Sequence, residues 1–270
     1  MATSRTTPDH RDAIMLLARA GYGARGIVYL LVGGLAALAV LGQGGQTTGS
    51  RGVLQRVMLA PWGDVLIGIM VVGLLGFALW RGIQAIKDTD HHGTTAKGLL
   101  VRSGLFASSI SHIMLAVFAA SLIFTLGGSS GGSGSGAAGI ATWLMSQSYG
   151  RWLVAAVGVA LAGAGFAHEI KAWKTQFDRH FNMPTRVKYW AYPICRFGLV
   201  IRGLVFVIVG VFFIMAAYQL DPDEAGGIAE VFTMLSTQAF GQSLLVLVAS
   251  GLFAFGIYSW LEAVYRRIEP

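Results

Sequence analysis

Long apolar stretches alternate along the chain with short polar ones. Six of them, at about 24–42, 63–86, 104–126, 151–172, 198–218 and 241–265, match the roughly 20 mostly apolar residues a helix needs to cross a bilayer's hydrocarbon core. Between them stand breakers: Gly42 to Gly49, Asp88 to Gly93, Gly127 to Gly136, Asn182 to Pro193, and Asp221 to Gly227. The pattern predicts six membrane-spanning helices. Three of the connections hold a short amphipathic piece (Val53 to Leu59, Ile140 to Met145, Ile228 to Leu235), which predicts helices lying in the membrane interface. Lys171 to Met183 places Trp173, Phe177 and Phe181 at i, i+4 and i+8 and predicts another. The tract GGSSGGSGSG from Gly127 reads as an unstructured linker.

Charge gives this pattern a direction. Only 12% of the 270 residues are charged and 54% are hydrophobic, against about 25% charged in a soluble domain. Of the 20 Lys and Arg, only Arg51, Arg56 and Arg151 fall on one side of the predicted spans, and the other 17 fall on the opposite side. Basic loops stay in the cytoplasm, so both termini are expected inside and the protein is expected in the bacterial inner (plasma) membrane. The net charge of +7 then reflects topology and contact with anionic lipid headgroups, not nucleic acid. Expected partners are the bilayer and those headgroups, with another membrane protein as a further candidate. Cys195 is the one cysteine, which excludes an intrachain disulfide. The basic-then-apolar opening looks like a signal peptide, but it recurs inside the chain, where cleavage makes no sense.

That recurrence is a repeat. Three segments align without gaps: ARAGYGARGIVYLLVGGLAAL from Ala18, VRSGLFASSISHIMLAVFAAS from Val101, and CRFGLVIRGLVFVIVGVFFIM from Cys195. Arg19, Arg102 and Arg196 coincide, as do Gly21, Gly104 and Gly198. Next come Arg25, Ser108 and Arg202, then Gly26, Ser109 and Gly203, then Tyr29, His112 and Phe206. The second helices follow PWGDVL, SYGRWL and AFGQSL, and their Phe77, Phe166 and Phe255 are spaced 89 residues apart both times. The chain divides into a cytoplasmic tail (1–12) and repeats at 13–90, 91–180 and 181–270. Each unit enters and leaves on one side, so the repeats are parallel and related by an axis along the membrane normal. The expected fold is all-α: six spans as three two-helix units with pseudo-three-fold symmetry.

The R-x-G-x-x-x-R-G opening (Arg19, Gly21, Arg25, Gly26; Arg196, Gly198, Arg202, Gly203), the Ala-Gly-Gly near Gly226 and the closing phrase Ser250 to Arg267 resemble the bacterial membrane family called domain of unknown function 1206. That family typically carries three copies. Repeat 2 departs by losing the second Arg and its Gly. The resemblance implies topology and no activity.

Ionisable groups inside spans are costly and often functional. Arg25 and Arg202 lie about six residues, roughly 9 Å along a helix, beyond the interfacial arginines. They could line a vestibule that holds an anion or a lipid headgroup, or else snorkel or pair with Glu262 or Glu169. His168 and Glu169 have no counterparts in the other repeats, and Glu169 lies at the depth of the two arginines, where a cross-repeat ion pair is expected. His112, mid-helix, reads as an interhelical hydrogen bond. A haem shared by His112 and His168 fits poorly, because their depths differ by roughly 6 Å, and no cofactor is expected. His91 and His92 with Asp88 and Asp90 read as a polar loop, not a metal site. No catalytic triad, carboxylate pair, nucleotide fingerprint or metalloprotease motif occurs, so no enzyme activity is expected. Two functions remain: a non-catalytic structural, lipid-binding or partner-binding membrane component, or a carrier or channel for a small anion or proton built on Arg25, Arg202, His112, His168 and Glu169.

Overall fold

A computed structural model describes residues 8–42, 47–124, 136–175, 178 and 181–268. The Gly127 tract as far as Ser135, Phe177, and most of the N-terminal tail lie outside them. Among the described residues there are nine α-helices and no strand: α1 (Pro8–Val40), α2 (Ser50–Met58), α3 (Gly63–Lys87), α4 (Ala96–Phe124), α5 (Gly136–Met145), α6 (Gly150–Trp173), α7 (Thr185–Gln219), α8 (Ile228–Ser236) and α9 (Gly241–Tyr265). The six long ones are long and apolar enough to span a membrane. The three short ones are the amphipathic pieces expected between the two helices of each repeat.

Each repeat makes its hairpin in the same way. Gly63, Gly150 and Gly241 open the second helices, and a Cβ there would lie 2.3–2.6 Å from a carbonyl oxygen at the end of the preceding short helix (Met58, Leu144, Ser236). Only glycine permits that closeness, which explains the aromatic-glycine pair in PWGDVL, SYGRWL and AFGQSL. The first helices are the longer ones, at 33, 29 and 35 residues against 25, 24 and 25 for the second. In repeat 3 this replaces an expected loop. Asn182 to Pro193 is not irregular, because α7 already begins at Thr185 after the extended Pro184 and carries Pro193 inside it. Among the described residues the amphipathic helix expected from Lys171 to Met183 does not continue either. α6 stops at Trp173, and Thr175 takes a left-handed conformation. Phe181 then folds inward, 5% exposed, bridges Arg266 and meets Tyr258 edge-on at 6.0 Å. Burial of Phe181 under α9 outweighs the helical periodicity.

The long helices lie side by side in the order α4, α3, α1, α9, α7, α6. The seams between repeats follow one rule: the first helix of each repeat packs on the second helix of the preceding one, with repeat 3 preceding repeat 1. Thus α1 lies on α9, α4 on α3 and α7 on α6. The aligned arginines mark the same relation. Arg19 donates to the Val264 carbonyl at the end of α9 (3.3 Å), Arg102 donates to Ala85 and Ile86 at the end of α3 (2.8 and 2.9 Å), and Arg196 lies over Trp173 at the end of α6 (5.8 Å). Cations there satisfy terminal carbonyls and favour the negative end of the helix dipole. Seven residues further along, Gly26 lets Trp260 of α9 approach, Ser109 donates to the Ala78 carbonyl of α3 (2.7 Å), and Gly203 meets Gly165 of α6.

Contacts within the repeats are not equivalent. α1 packs on α3 and α7 packs on α9, but α4 and α6 form no packed seam among the described residues. The aligned glycines report it. A Cβ on Gly21 would lie 2.5 Å from the Phe77 backbone and one on Gly198 2.5 Å from that of Phe255, whereas Gly104 has no described atom within 4 Å. Phe77 and Phe255 are 0% and 1% exposed, while Phe166 is 60% exposed. The row of six helices therefore curves around a centre and stays open where repeat 2 would close it.

Candidate functional site

A cavity of about 270 Å³ occupies that centre. The aligned Tyr29, His112 and Phe206, one from the first helix of each repeat, all line it. Val28, Leu74, Met114, Leu115 and Ile140 make its walls mainly apolar, and Ser50 and Arg51 of α2 stand at the hairpin end. Arg25 and Arg202 reach it from the end that carries the termini.

The two arginines are equivalent in sequence but not in charge balance. Arg25 is buried and ion-paired with Glu262, and its Nε donates to Ser259 Oγ at 3.1 Å. Glu262 is itself shared. Its Oε1 accepts from Arg266 Nη1 (2.8 Å) and from Tyr258 (2.9 Å), whose oxygen accepts from Lys171 Nζ at 2.6 Å. Arg266 continues to Asp90 (3.3 Å), Asp90 accepts from Gln84 (2.8 Å), and Gln84 accepts from Arg81 (3.2 Å). All three repeats contribute, and the network ties their ends together below the cavity. Four cations meet two carboxylates in it. A buried carboxylate needs such partners, because desolvating a lone charge costs several kcal/mol.

Arg202 has no such partner. It is 9% exposed, and its Nε and Nη1 are buried with no hydrogen-bond acceptor among the described residues. Three rings hold the guanidinium instead: Phe255 at 4.2 Å, Phe206 at 4.5 Å and Tyr29 at 4.8 Å. Cation–π attraction contributes about 2 kcal/mol or more per desolvated contact. It supplies no acceptor, so Nε and Nη1 stay unsatisfied in a side chain that lines the cavity.

The expected Arg–Glu169 pair is absent among the described residues. Glu262 takes Arg25, and Glu169 packs on Gly203 of α7 without an ion pair. His112 bonds within its own helix, not across helices. Its Nδ1 donates to the Ser108 carbonyl at 2.7 Å, and the ring lies 4.5 Å from that of Phe77. His168 does the same with the Ala164 carbonyl (2.7 Å) and Phe206 (5.6 Å). Of the five candidates, Arg25, Arg202 and His112 line the cavity, while His168 and Glu169 do not. In the 88–93 turn, Asp88 accepts from the backbone of Gly93 (2.7 Å) and His92 (2.8 Å), and these bonds, the first above all, hold its carboxyl below the usual range. No group of three metal-ligating side chains occurs among the described residues.

Lys171 and Arg81 belong to no motif, and neither the closing phrase that holds Tyr258 and Arg266 nor the polar loop that holds Asp90 marked them as members of a network. The 89-residue spacing does carry a signal, since it puts Gln84 and Glu262, both central to the network, at the same repeat position.

The chain is an all-helical integral membrane protein made of three tandem two-helix units. It belongs to the family described as Domain of Unknown Function (DUF1206), whose model matches residues 20–88, 103–175 and 197–266. It is 29% identical over 274 residues to the "Uncharacterized protein YxxB" of Bacillus subtilis (strain 168), covering 98% of this chain and 96% of that one. No solved structure matches it.

Proposed function

We propose that this chain is a non-catalytic protein of the bacterial plasma membrane that holds an anionic group in its central cavity, with both termini in the cytoplasm. The observation that carries the reading is Arg202: a buried guanidinium with two unsatisfied donors, on the wall of an apolar cavity. Charge-assisted bonds to phosphate or carboxylate are the strong class of hydrogen bond, and low dielectric strengthens them further. Arg25, held by Glu262, adds positive potential and seals the cytoplasmic end. The basic bias of that end supports the orientation. A reporter fused after Pro270 is expected in the cytoplasm and one at Ser133 outside, and the reverse pattern overturns the topology.

The binding test is thermal unfolding of delipidated protein in a neutral detergent, with and without millimolar inorganic phosphate. A stabilising shift is expected in the parent and in Arg202→Lys, and none in Arg202→Gln. An equal shift in all three, or in none, refutes the reading. A carrier or channel for a small anion or proton has less support, since His168 and Glu169 lie off the cavity and Arg25 is closed by its ion pair. Equal, background flux of anions and protons into liposomes with the parent and Arg202→Ala would dismiss it.

A further inference from the structure

The cavity is larger and more apolar than a bare anion would fill. An engineered cavity of about 150 Å³ accommodates benzene, and this one is about 270 Å³. An inorganic ion at Arg202 would leave Val28, Leu74, Met114 and Leu115 facing water, which apolar surface resists. A ligand with an anionic head and a hydrocarbon tail would satisfy both parts of the wall.

The route in is the second observation. Among the described residues α4 and α6 form no packed seam, so no helix–helix contact closes the side of the cavity between α4 and the α6–α7 pair. Two residues of α4 lie both on the cavity wall and on the exposed surface: Ser111, and Met114 at 40% exposure. They sit midway along a helix long and apolar enough to span the membrane, so the entrance opens at the depth of lipid tails, not at the level of a loop. Repeat 2 is also where the sequence gives up its second arginine, with Ser108 in place of an Arg25 or Arg202. A third cation there would stand at the entrance and oppose passage of hydrocarbon.

We infer that the cavity is a binding site for an anionic amphiphile, a single phosphate- or carboxylate-headed lipid, which enters sideways from the bilayer between α4 and the α6–α7 pair and seats its head on Arg202. This rests on the anion-holding reading above and specifies the ligand class and the path. The head is held by the Arg202 guanidinium, which lines the cavity and whose buried Nε and Nη1 have no acceptor among the described residues. Tyr29, Phe206 and Phe255 fix the guanidinium plane, so the head meets a rigid fork and not a mobile side chain.

The test is native mass spectrometry and thermal unfolding of the delipidated full chain in neutral detergent, with four additions: phosphatidylglycerol, phosphatidylcholine, glycerol phosphate and inorganic phosphate. One phosphatidylglycerol is expected to be retained per chain, at least tenfold tighter than phosphatidylcholine or glycerol phosphate. Arg202→Gln is expected to reduce that retention at least tenfold, and Arg202→Lys to restore part of it. Met114→Trp, which fills the entrance, is expected to slow or abolish lipid uptake while leaving the phosphate-induced shift in melting intact. Glycerol phosphate binding as tightly as the lipid would overturn the amphiphile while leaving the anion site standing. No Arg202-dependent binding of any addition would overturn both. Unimpeded lipid uptake by a folded Met114→Trp would overturn the side entrance, as would uptake by Ser111→Trp, the second variant should the first fail to fold.

Discussion

Gly21, Gly104 and Gly198 are the same residue at the same position of three repeats, yet their replacement by alanine should have opposite effects. At Gly21 the new Cβ would lie 2.5 Å from the Cα and N of Phe77, and at Gly198 2.5 Å from the backbone N of Phe255. Neither neighbour is a flexible side-chain end, so relief requires the helices to part by roughly 1 Å, a gap that forfeits a quarter to a half of each dispersion contact along the seam. The α1–α3 seam has other close contacts that would open too, Gly73 on Ala24 and Gly76 on Leu17. Overpacking of this kind costs about 1–3 kcal/mol and sometimes more. Membrane helices associate mainly through such packing, so the loss should appear in full. At Gly104 there is nothing to strike, and alanine is the better helix former by up to about 1 kcal/mol. Gly104→Ala should therefore be neutral or slightly stabilising, while Gly21→Ala and Gly198→Ala should each lose about 1–3 kcal/mol. The assay is reversible unfolding in mixed detergent–SDS micelles, followed by tryptophan fluorescence. If Gly104→Ala is as destabilising as the other two, α4 does pack on α6 and the open ring is wrong.

Other outcomes follow from the network and the turn. Glu262→Gln leaves Arg25 and Arg266 buried with a neutral partner and should cost about 3–5 kcal/mol in the same unfolding assay. The double variant with Arg25→Gln should recover part of that loss, and strict additivity would deny the coupling. Ser109→Ala removes the α4-to-α3 hydrogen bond and should cost about 0.6 kcal/mol, at most about 1.7, while Ser103→Ala, on an exposed face, should cost nothing measurable. Asp88 has a folded pKa below its unfolded one, so its contribution to the 88–93 turn is fully present above pH ~4 and fades as pH falls through the folded value. Protection of the Gly93 amide, relative to its intrinsic exchange rate, should fall over that acid range in the parent and show no such pH dependence in Asp88→Asn.

Much of this architecture was legible in the sequence because the membrane forces it to be. A span must be long and apolar, a hairpin must turn, and a three-fold repetition prints the same glycines and arginines at the same places. Six helices and three units followed from those constraints. What resisted was decided by tertiary contact. Phe181 looks amphipathic in sequence, but its ring is buried under α9. Glu169 and Glu262 both lie near the depth of Arg25, and only packing selects Glu262. His112 read as an interhelical hydrogen bond, yet it and His168 each bond to a carbonyl of their own helix. The opening in repeat 2 left one trace, the loss of Arg and Gly at Ser108 and Ser109. The sequence alone could mark that as a departure without saying that it accompanies an unclosed seam.

The order of the six helices has a consequence for assembly. Because α4 sits on α3 and α6 on α7, the middle repeat is shared out: one of its helices belongs with repeat 1 and the other with repeat 3. The molecule is thus two blocks, α1–α4 and α5–α9, joined mainly along α1 and α9 and by the Arg25–Glu262 cluster. The covalent link between them is the segment 125–135. Two separately translated polypeptides ending at Phe124 and starting at Gly136 contain every seam, so they should find each other in the membrane and co-purify as the intact fold. Omitting α9 would instead remove the partner of α1 and leave no joined product. The unit of duplication in the sequence is therefore not the unit of cooperative folding.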